Sequence, residues 1–322
     1  MVHLNLMTDI NSFSDHINFL KIEIDKALQK IPIKDSPKYL YDPIQYVLSG
    51  KGKRLRPVLV HLSGQTHDAD PSELMKASLA VELLHNFTLV HDDIMDGDNI
   101  RHGKATLHEK WDMSTAILSG DGLFSLAQLL LTNLPVIVFQ RFNEVALTIC
   151  EGQGMDKEFE NNSSISMGEY LIMIGKKTGA LLGLCAELGA LLGGLSKEDA
   201  HNLFEFGLNL GLAFQIQDDF LEIFGHESNM GKSLGSDIFA GKQTALMILA
   251  RDNNSNKWEE FVNTKNSISD YQSYFVKNGI KTGTETIIQH YIYKAEKGLK
   301  VINEKKRNHL RQFTTMILNR TY

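Results

Sequence analysis

The sequence predicts an all-α protein, one domain spanning residues 1–322 and built from about ten or more helices. Three observations point there. Apolar residues recur at helical spacing over long stretches. Only six prolines interrupt 322 residues. No alternating apolar–polar run bounded by hairpin dipeptides is seen, and no repeat of solenoid period.

In chain order, Leu79, Val81, Leu83, Leu84, Phe87 and Val90 are apolar nearly all round, as in a central buried helix. Segments 116–134, 168–193 and 202–224 read the same way. Loops are expected at 31–38, 64–71, 161–166, 225–241 and 252–257, none long enough to separate domains. The basic stretch 294–320 is expected to form a terminal helix ending in a tail. Segment 178–195 comes nearest to a membrane span. It holds Glu187 and several glycines, so a buried core helix is the expectation and no stable membrane span is predicted.

Composition narrows the function. Hydrophobic residues make up 43% of the chain, enough for a substantial core. A net charge of −6 gives no reason to expect nucleic-acid binding. Two cysteines, Cys150 and Cys185, make no disulfide framework, so a reducing, cytoplasmic setting is expected. Residues 1–9 lack a basic stretch followed by an apolar one, so no secretory signal is expected.

Two acidic clusters stand out, Asp92-Asp93-Ile94-Met95-Asp96 and Asp218-Asp219-Phe220-Leu221-Glu222. Each lies in an apolar segment, where carboxylates are costly unless a cation compensates. The first and last acids are spaced i, i+4 and share a helix face. Oxygen ligands in that pattern suit Mg²⁺, which commonly bridges carboxylates to substrate phosphates.

Cations and small residues cluster elsewhere. Gly50-Lys51-Gly52-Lys53-Arg54-Leu55-Arg56-Pro57 puts four cations between glycines, where backbone and an arginine fork can approach an anion. Taken alone it is equally a solvated turn. His85 falls two turns before Asp92 on the same face, and alone it is equally a core histidine. Arg101, His102 and Lys104 follow the first acids closely. Lys177-Thr178 is expected to open an apolar helix, where a lysine and a hydroxyl suit an anion or simply cap the helix. Gln215 shares a face with Asp218. Lys232 and Lys242 flank a glycine-rich loop that suits closure over a polyanion.

In this order the motifs resemble the trans-isoprenyl diphosphate synthases, the polyprenyl synthetase family. The likeness runs from about Gly50 to Lys242. It rests on Gly52-Lys53-Arg54-Leu55-Arg56-Pro57, Glu82-Leu83-Leu84-His85, the Asp92 cluster, Lys177-Thr178, Phe214-Gln215-Ile216-Gln217-Asp218-Asp219 and Gly235-Ser236-Asp237-Ile238. The resemblance implies antiparallel helices around a deep central cavity, the isoprenoid synthase fold, usually as a homodimer. It implies three Mg²⁺ ions and head-to-tail condensation of isopentenyl diphosphate with an allylic diphosphate. Asp92 and Asp96 would hold two ions and Asp218 the third, with Asp93, Asp219 and Glu222 acting through metal-bound water. Arg101, Lys177, Thr178, Gln215, Lys232 and Lys242 would hold the allylic diphosphate. Lys53, Arg56, His85 and His102 would hold isopentenyl diphosphate. Among these, Arg101, Lys177 and Lys232 would join the three metal-holding aspartates as catalytic groups. Gln153-Gly154-Met155-Asp156 matches the family's Gln-x-x-Asp and would lie near Lys177.

Two departures stand out. The family usually has Arg-Arg-Gly where this chain has Arg101-His102-Gly103, and its second motif usually ends in aspartate where this chain has Glu222. Chain length in the family depends on the residues before the first motif. Phe87 lies roughly 7.5 Å along the helix from Asp92, with small Thr88 nearer. That pair favours a geranylgeranyl product over farnesyl. The alternatives are a class I terpene cyclase, which lacks the Gly-Lys-Arg-Leu-Arg motif, and a non-catalytic subunit of a heteromeric synthase, which generally lacks the acids.

Overall fold

The computed structural model describes residues 12–50, 52–160, 162–225, 234–235, 238 and 241–318. They are almost wholly helical. The helices are α1 (Phe13–Gln29), α2 (Lys38–Leu48), α3 (Leu55–Gln65), α4 (Pro71–Asp96), α5 (Leu107–Lys110), α6 (Met113–Leu131), α7 (Val136–Phe159), α8 (Met167–Ile174), α9 (Ala180–Leu192) and α10 (Lys197–Phe224). Then come α11 (Ala245–Asn253), α12 (Ser255–Val262), α13 (Ile268–Lys277), α14 (Ile280–Gly298) and α15 (Asn308–Leu318). Packing groups the chain into two compact units. One comprises Met1–Phe142 with Cys185–Ala200, the other Asn143–Leu184 with His201–Tyr322.

In the first unit α4 is the organising element. Asp70 caps its start by accepting from the Ser72 and Glu73 amides, and Pro71 occupies the first turn, where a missing N–H costs nothing. Gly97, at φ 68°, ends it in the left-handed conformation. The helix packs on α1, α3 and α6 and buries Leu74, Leu83 and Leu84 completely. Residues 79–84 and Val90 are buried, as the sequence pattern predicts, whereas 85–89 are half-buried.

A small ribbon is the exception to the expected absence of strands. Ile100–Arg101 pairs antiparallel with Lys104–Ala105 across a turn at His102-Gly103. Both turn residues have positive φ, 50° and 74°, the requirement of the tight hairpin turn that suits strand twist. Two residues per strand are too few to show alternation. The Tyr46 hydroxyl donates to the Ala105 carbonyl at 2.9 Å, and the Lys110 ammonium lies 3.9 Å from the Tyr46 ring centre, tying the ribbon and α5 to α2.

Segment 168–193 is not one uninterrupted α-helix. A π-helical turn, Gly175–Gly179, separates α8 from α9. Residues 180–190 are all buried, as expected of a core segment. Of the described residues, only α6 is long and apolar enough to meet the dimensions of a membrane span. Trp258, Tyr271 and Phe275 join Leu246 and Ile280 in a core that holds α11 to α14.

Two loop boundaries differ from expectation. Residues 252–257 are mainly helical, because Asn254 ends α11 and its side chain accepts from the Lys257 amide to start α12 at once. Segment 294–320 is broken rather than one helix. A 3-10 turn at Leu299–Val301 follows α14 before α15 begins.

Candidate active site

The acids sit where helix electrostatics oppose them. Asp92, Asp93 and Asp96 occupy the last turn of α4, the negative end of the helix dipole. Their placement therefore does not arise from helix stability. Asp93 turns inward, is 5% exposed and is engaged by the Arg101 guanidinium. Burial pushes its carboxyl pKa upward, and Arg101 opposes that shift. Arg101 also donates to Asp98 at 3.1 Å. Asp92 is half-buried and Asp96 exposed, so the i, i+4 pair lies on the accessible side, as the spacing predicts.

The second cluster repeats the arrangement on α10. Asp219 is 7% exposed. Its Oδ2 accepts from the Tyr170 hydroxyl at 2.6 Å and its Oδ1 from Gln215 Nε2 at 3.1 Å. Asp218 and Glu222 are half-buried. The two central aspartates are thus held by protein donors, and the outer acids of each motif are left more accessible.

In the first unit, the basic turn meets α4. Arg56 Nη1 lies 3.0 Å from His85 Nε2. Burial and then Arg56, with Arg101 and His102 contributing, hold the His85 pKa well below its ordinary value. The ring is neutral and accepts from Arg56. Lys53 is exposed. Burial, Arg101 and Lys53 together lower the His102 pKa, so His102 shares the electrostatic neighbourhood of Lys53 and Arg101. His102 stands at the ribbon tip and is exposed.

In the second unit, Asp156, Lys177, Thr178, Gln215, Asp219 and Lys242 line one cavity. Lys177 pairs with Asp156, the proximity expected from the Gln153–Asp156 motif. Thr178 Oγ1 donates to Gln215 Oε1 at 3.2 Å. Lys177 and Thr178 do not open a helix, contrary to expectation. They lie inside the π turn, a feature common at functional sites, so helix-start chemistry does not explain them. Gly152 makes the approach possible, since a Cβ there would stand 2.3 Å from the Lys177 backbone nitrogen. Lys51 and Lys232 lie outside the described residues.

Phe87 and Thr88 are half-buried on α4. The Phe87 ring meets His91 edge-on at 4.7 Å and Phe124 of α6 at 5.2 Å. Phe124 continues the row to Phe142 at 6.3 Å. Thr88 turns its hydroxyl back to the His85 carbonyl at 2.8 Å.

Some partners were missed from sequence. Tyr170 and the Arg54–Glu82 pair carry no local signal, because each partner is distant in the chain. A buried-tyrosine or buried-arginine pattern near an acid motif has too many sequence solutions to single them out.

The polyprenyl synthetase family model matches residues 37–277, and the chain belongs to that family. The geranylgeranyl diphosphate synthase of Methanosarcina mazei is 40% identical over 256 residues, covering 78% of this chain and 77% of that protein. The geranylgeranyl pyrophosphate synthase of Geoglobus acetivorans is 36% identical over 310 residues, covering 93% and 96%. The crystal structure of geranylgeranyl pyrophosphate synthetase from Pyrococcus horikoshii matches with a TM-score of 0.86 at 34% identity, covering 96% and 99%. The fold is therefore the all-α isoprenoid synthase bundle. The activity at family level is Mg²⁺-dependent prenyl transfer, condensing isopentenyl diphosphate with an allylic diphosphate.

Proposed function

We propose that this prenyltransferase makes a short linear product, geranylgeranyl diphosphate in preference to farnesyl diphosphate. The observation that carries the reading is the aromatic row Phe87–Phe124–Phe142 beside the first acid helix, with small Thr88 between Phe87 and Asp92. A growing prenyl tail running along α4 passes Thr88 and meets the Phe87 ring. The three relatives named above are geranylgeranyl synthases, which supports the same length.

The donor chemistry fits Mg²⁺. Asp92, Asp96 and Asp218 offer hard oxygen ligands on accessible faces, while Asp93 and Asp219 are engaged by protein donors. Among the described residues no three acids or histidines form a ready-made metal cluster. Ligands in ones and twos suit ions shared with a diphosphate, and we assign three ions to this set. When bound, Mg²⁺ draws charge from the leaving diphosphate oxygens. Asp93, Asp219 and Glu222 act around these ions. Lys177, Thr178, Gln215 and Lys242, with Lys232 and Arg101, hold the allylic diphosphate. Lys53, Arg56, His85 and His102 hold isopentenyl diphosphate. Neutral His85 takes a hydrogen bond from Arg56 without cancelling the Arg56 charge. Apolar residues on α4 and α6 keep water from the cationic allyl group, and departing diphosphate takes the released proton.

A homodimer completes the proposal. Met113, Ile117, Leu118 and Leu129 are exposed on apolar α6, a face that a second copy covers. Light scattering that finds only monomer refutes this part.

The test of function is the purified chain with Mg²⁺, isopentenyl diphosphate and an allylic diphosphate, followed by product chromatography. Geranylgeranyl diphosphate as the main product supports the reading. Farnesyl or longer products refute the length assignment. Cyclised hydrocarbon, or no product until another subunit is added, refutes the assignment as a self-sufficient synthase.

A further inference from the structure

Within the basic turn, the three visible cations have different fates. Lys53 is exposed and Arg56 half-buried, but Arg54 is 8% exposed and its guanidinium is fully engaged. Nε donates to Asp25 of α1 at 2.7 Å, Nη1 to Glu82 of α4 at 2.5 Å and Nη2 to the Gly50 carbonyl at 2.7 Å. Burial disfavours the charge on Arg54. Glu82 and Asp25 more than offset it, so the guanidinium pKa stands above its ordinary value. The Arg54 charge is compensated inside the protein, so it has none to spare for a substrate.

The backbone shows the same specialisation. Arg54 adopts φ 52° at the start of α3, a left-handed conformation that is strained for a non-glycine residue. This inflection sends Arg54 inward between an exposed Lys53 and the start of the helix that carries Arg56. Gly52 supplies an independent observation. A Cβ there would lie 2.8 Å from Arg54 Nη1 and 3.6 Å from Glu82 Oε1. The guanidinium therefore folds back over a position that only glycine leaves open.

Glu82 lies one turn before His85 on α4. Two rungs consequently join the turn to α4, Arg54–Glu82 and Arg56–His85. A buried ion pair gives little net stability compared with apolar packing, and breaking one is costly. Its specific contribution is geometry.

We propose that Arg54 is a positioning residue for isopentenyl diphosphate: its buried pairing with Glu82 aims Lys53 and Arg56 at that substrate. This rests on the reading that Lys53 and Arg56 hold isopentenyl diphosphate. Arg54 itself makes no contact with the diphosphate. Gly52 and Asp25 belong to the same latch, Gly52 by leaving room and Asp25 by holding Nε.

The experiment is steady-state kinetics on the full chain with Mg²⁺, varying each substrate at saturating levels of the other. Glu82→Gln keeps shape and a hydrogen bond while removing charge. Gly52→Ala displaces the guanidinium from an exposed position. Arg54→Lys keeps charge but loses the three-way fork. Each is expected to raise KM for isopentenyl diphosphate about tenfold, with the allylic KM moving less than about twofold and kcat falling less than KM rises. Helix content is expected to stay native by circular dichroism. A parallel loss of kcat, both KM values and helix content in all three variants overturns the proposal in favour of a purely structural role. Lys53→Ala and Arg56→Ala serve as references. If they raise KM for isopentenyl diphosphate and the latch variants do not, positioning is refuted and the binding assignment stands. If the references also leave that KM unchanged, the binding assignment fails and the proposal with it.

Discussion

The Tyr170 hydroxyl and the Asp219 carboxylate form a buried 2.6 Å hydrogen bond between α8 and α10. With Gln215 on the other oxygen, Asp219 has both acceptors engaged, and its direction is fixed. Asp218 and Glu222, on either side of it, inherit that alignment through the helix.

Tyr170→Phe removes one donor and leaves a buried carboxylate oxygen without it. Stability is expected to fall by about 1–3 kcal/mol. The concentration of Mg²⁺ giving half-maximal activity is expected to rise, since the helix face carrying Asp218 loses its anchor. Unchanged Mg²⁺ dependence in a folded variant counts against this coupling.

Asp92→Ala and Asp218→Ala are expected to lower turnover by several orders of magnitude, because each removes a proposed Mg²⁺ ligand where charge separates. Helix content is expected to persist, as acids at the negative end of α4 do not stabilise it. Near-normal turnover in either variant with Mg²⁺ would contradict the metal assignment.

His102→Arg tests the departure at the ribbon tip. Neutral imidazole offers one donor, whereas arginine offers a fork and a permanent charge. KM for isopentenyl diphosphate is expected to fall while the allylic KM changes less. An unchanged KM shows that the residue at 102 does not reach the substrate.

Phe87→Ser opens the first ring of the aromatic row. Products are expected to lengthen with catalysis retained. If Phe87 is core packing alone, the change lowers stability by a few kcal/mol, on the order seen for large-to-small substitutions, and products keep their length.

His61 gives a pH signature unrelated to chemistry. It is 4% exposed, and burial, with His16 nearby, lowers its pKa from 6.5 to about 4. The unfolded chain therefore binds a proton that the folded chain refuses between those values. Stability is full above pH 6.5 and declines as pH falls, by about 2 kcal/mol at pH 5. Denaturant unfolding of the native chain and His61→Leu at pH 7 and pH 5 checks this. Equal pH slopes in the two proteins rule it out.

Part of the site was legible because its signals are local. The shared face of the i, i+4 acids follows from helix periodicity, and the Asp156–Lys177 proximity from the motifs that resemble the family's. What escaped depends on distant partners or on backbone irregularity. Tyr170 reaches Asp219 across 49 positions, and Arg54 reaches Glu82 across 28. The ribbon is too short for alternation, and the break after α14 has no proline to announce it. The apolar run after Thr178 suggests a helix start at Lys177, whereas the chain is already helical there. The extra residue in that turn leaves no compositional trace.

A π-helical turn holds one residue more than the α-helical turn it replaces, and at Gly175–Gly179 that residue is absorbed locally. Deleting one residue there would restore regular α-helical hydrogen bonding, keep the flanking helix faces in register and remove the bulge that presents Lys177 and Thr178. Drift can therefore alter which small residues fill the segment far more freely than how many there are. Lineages that lose the insertion would be expected to lose the Lys177–Thr178 contacts with it, even with every other motif intact.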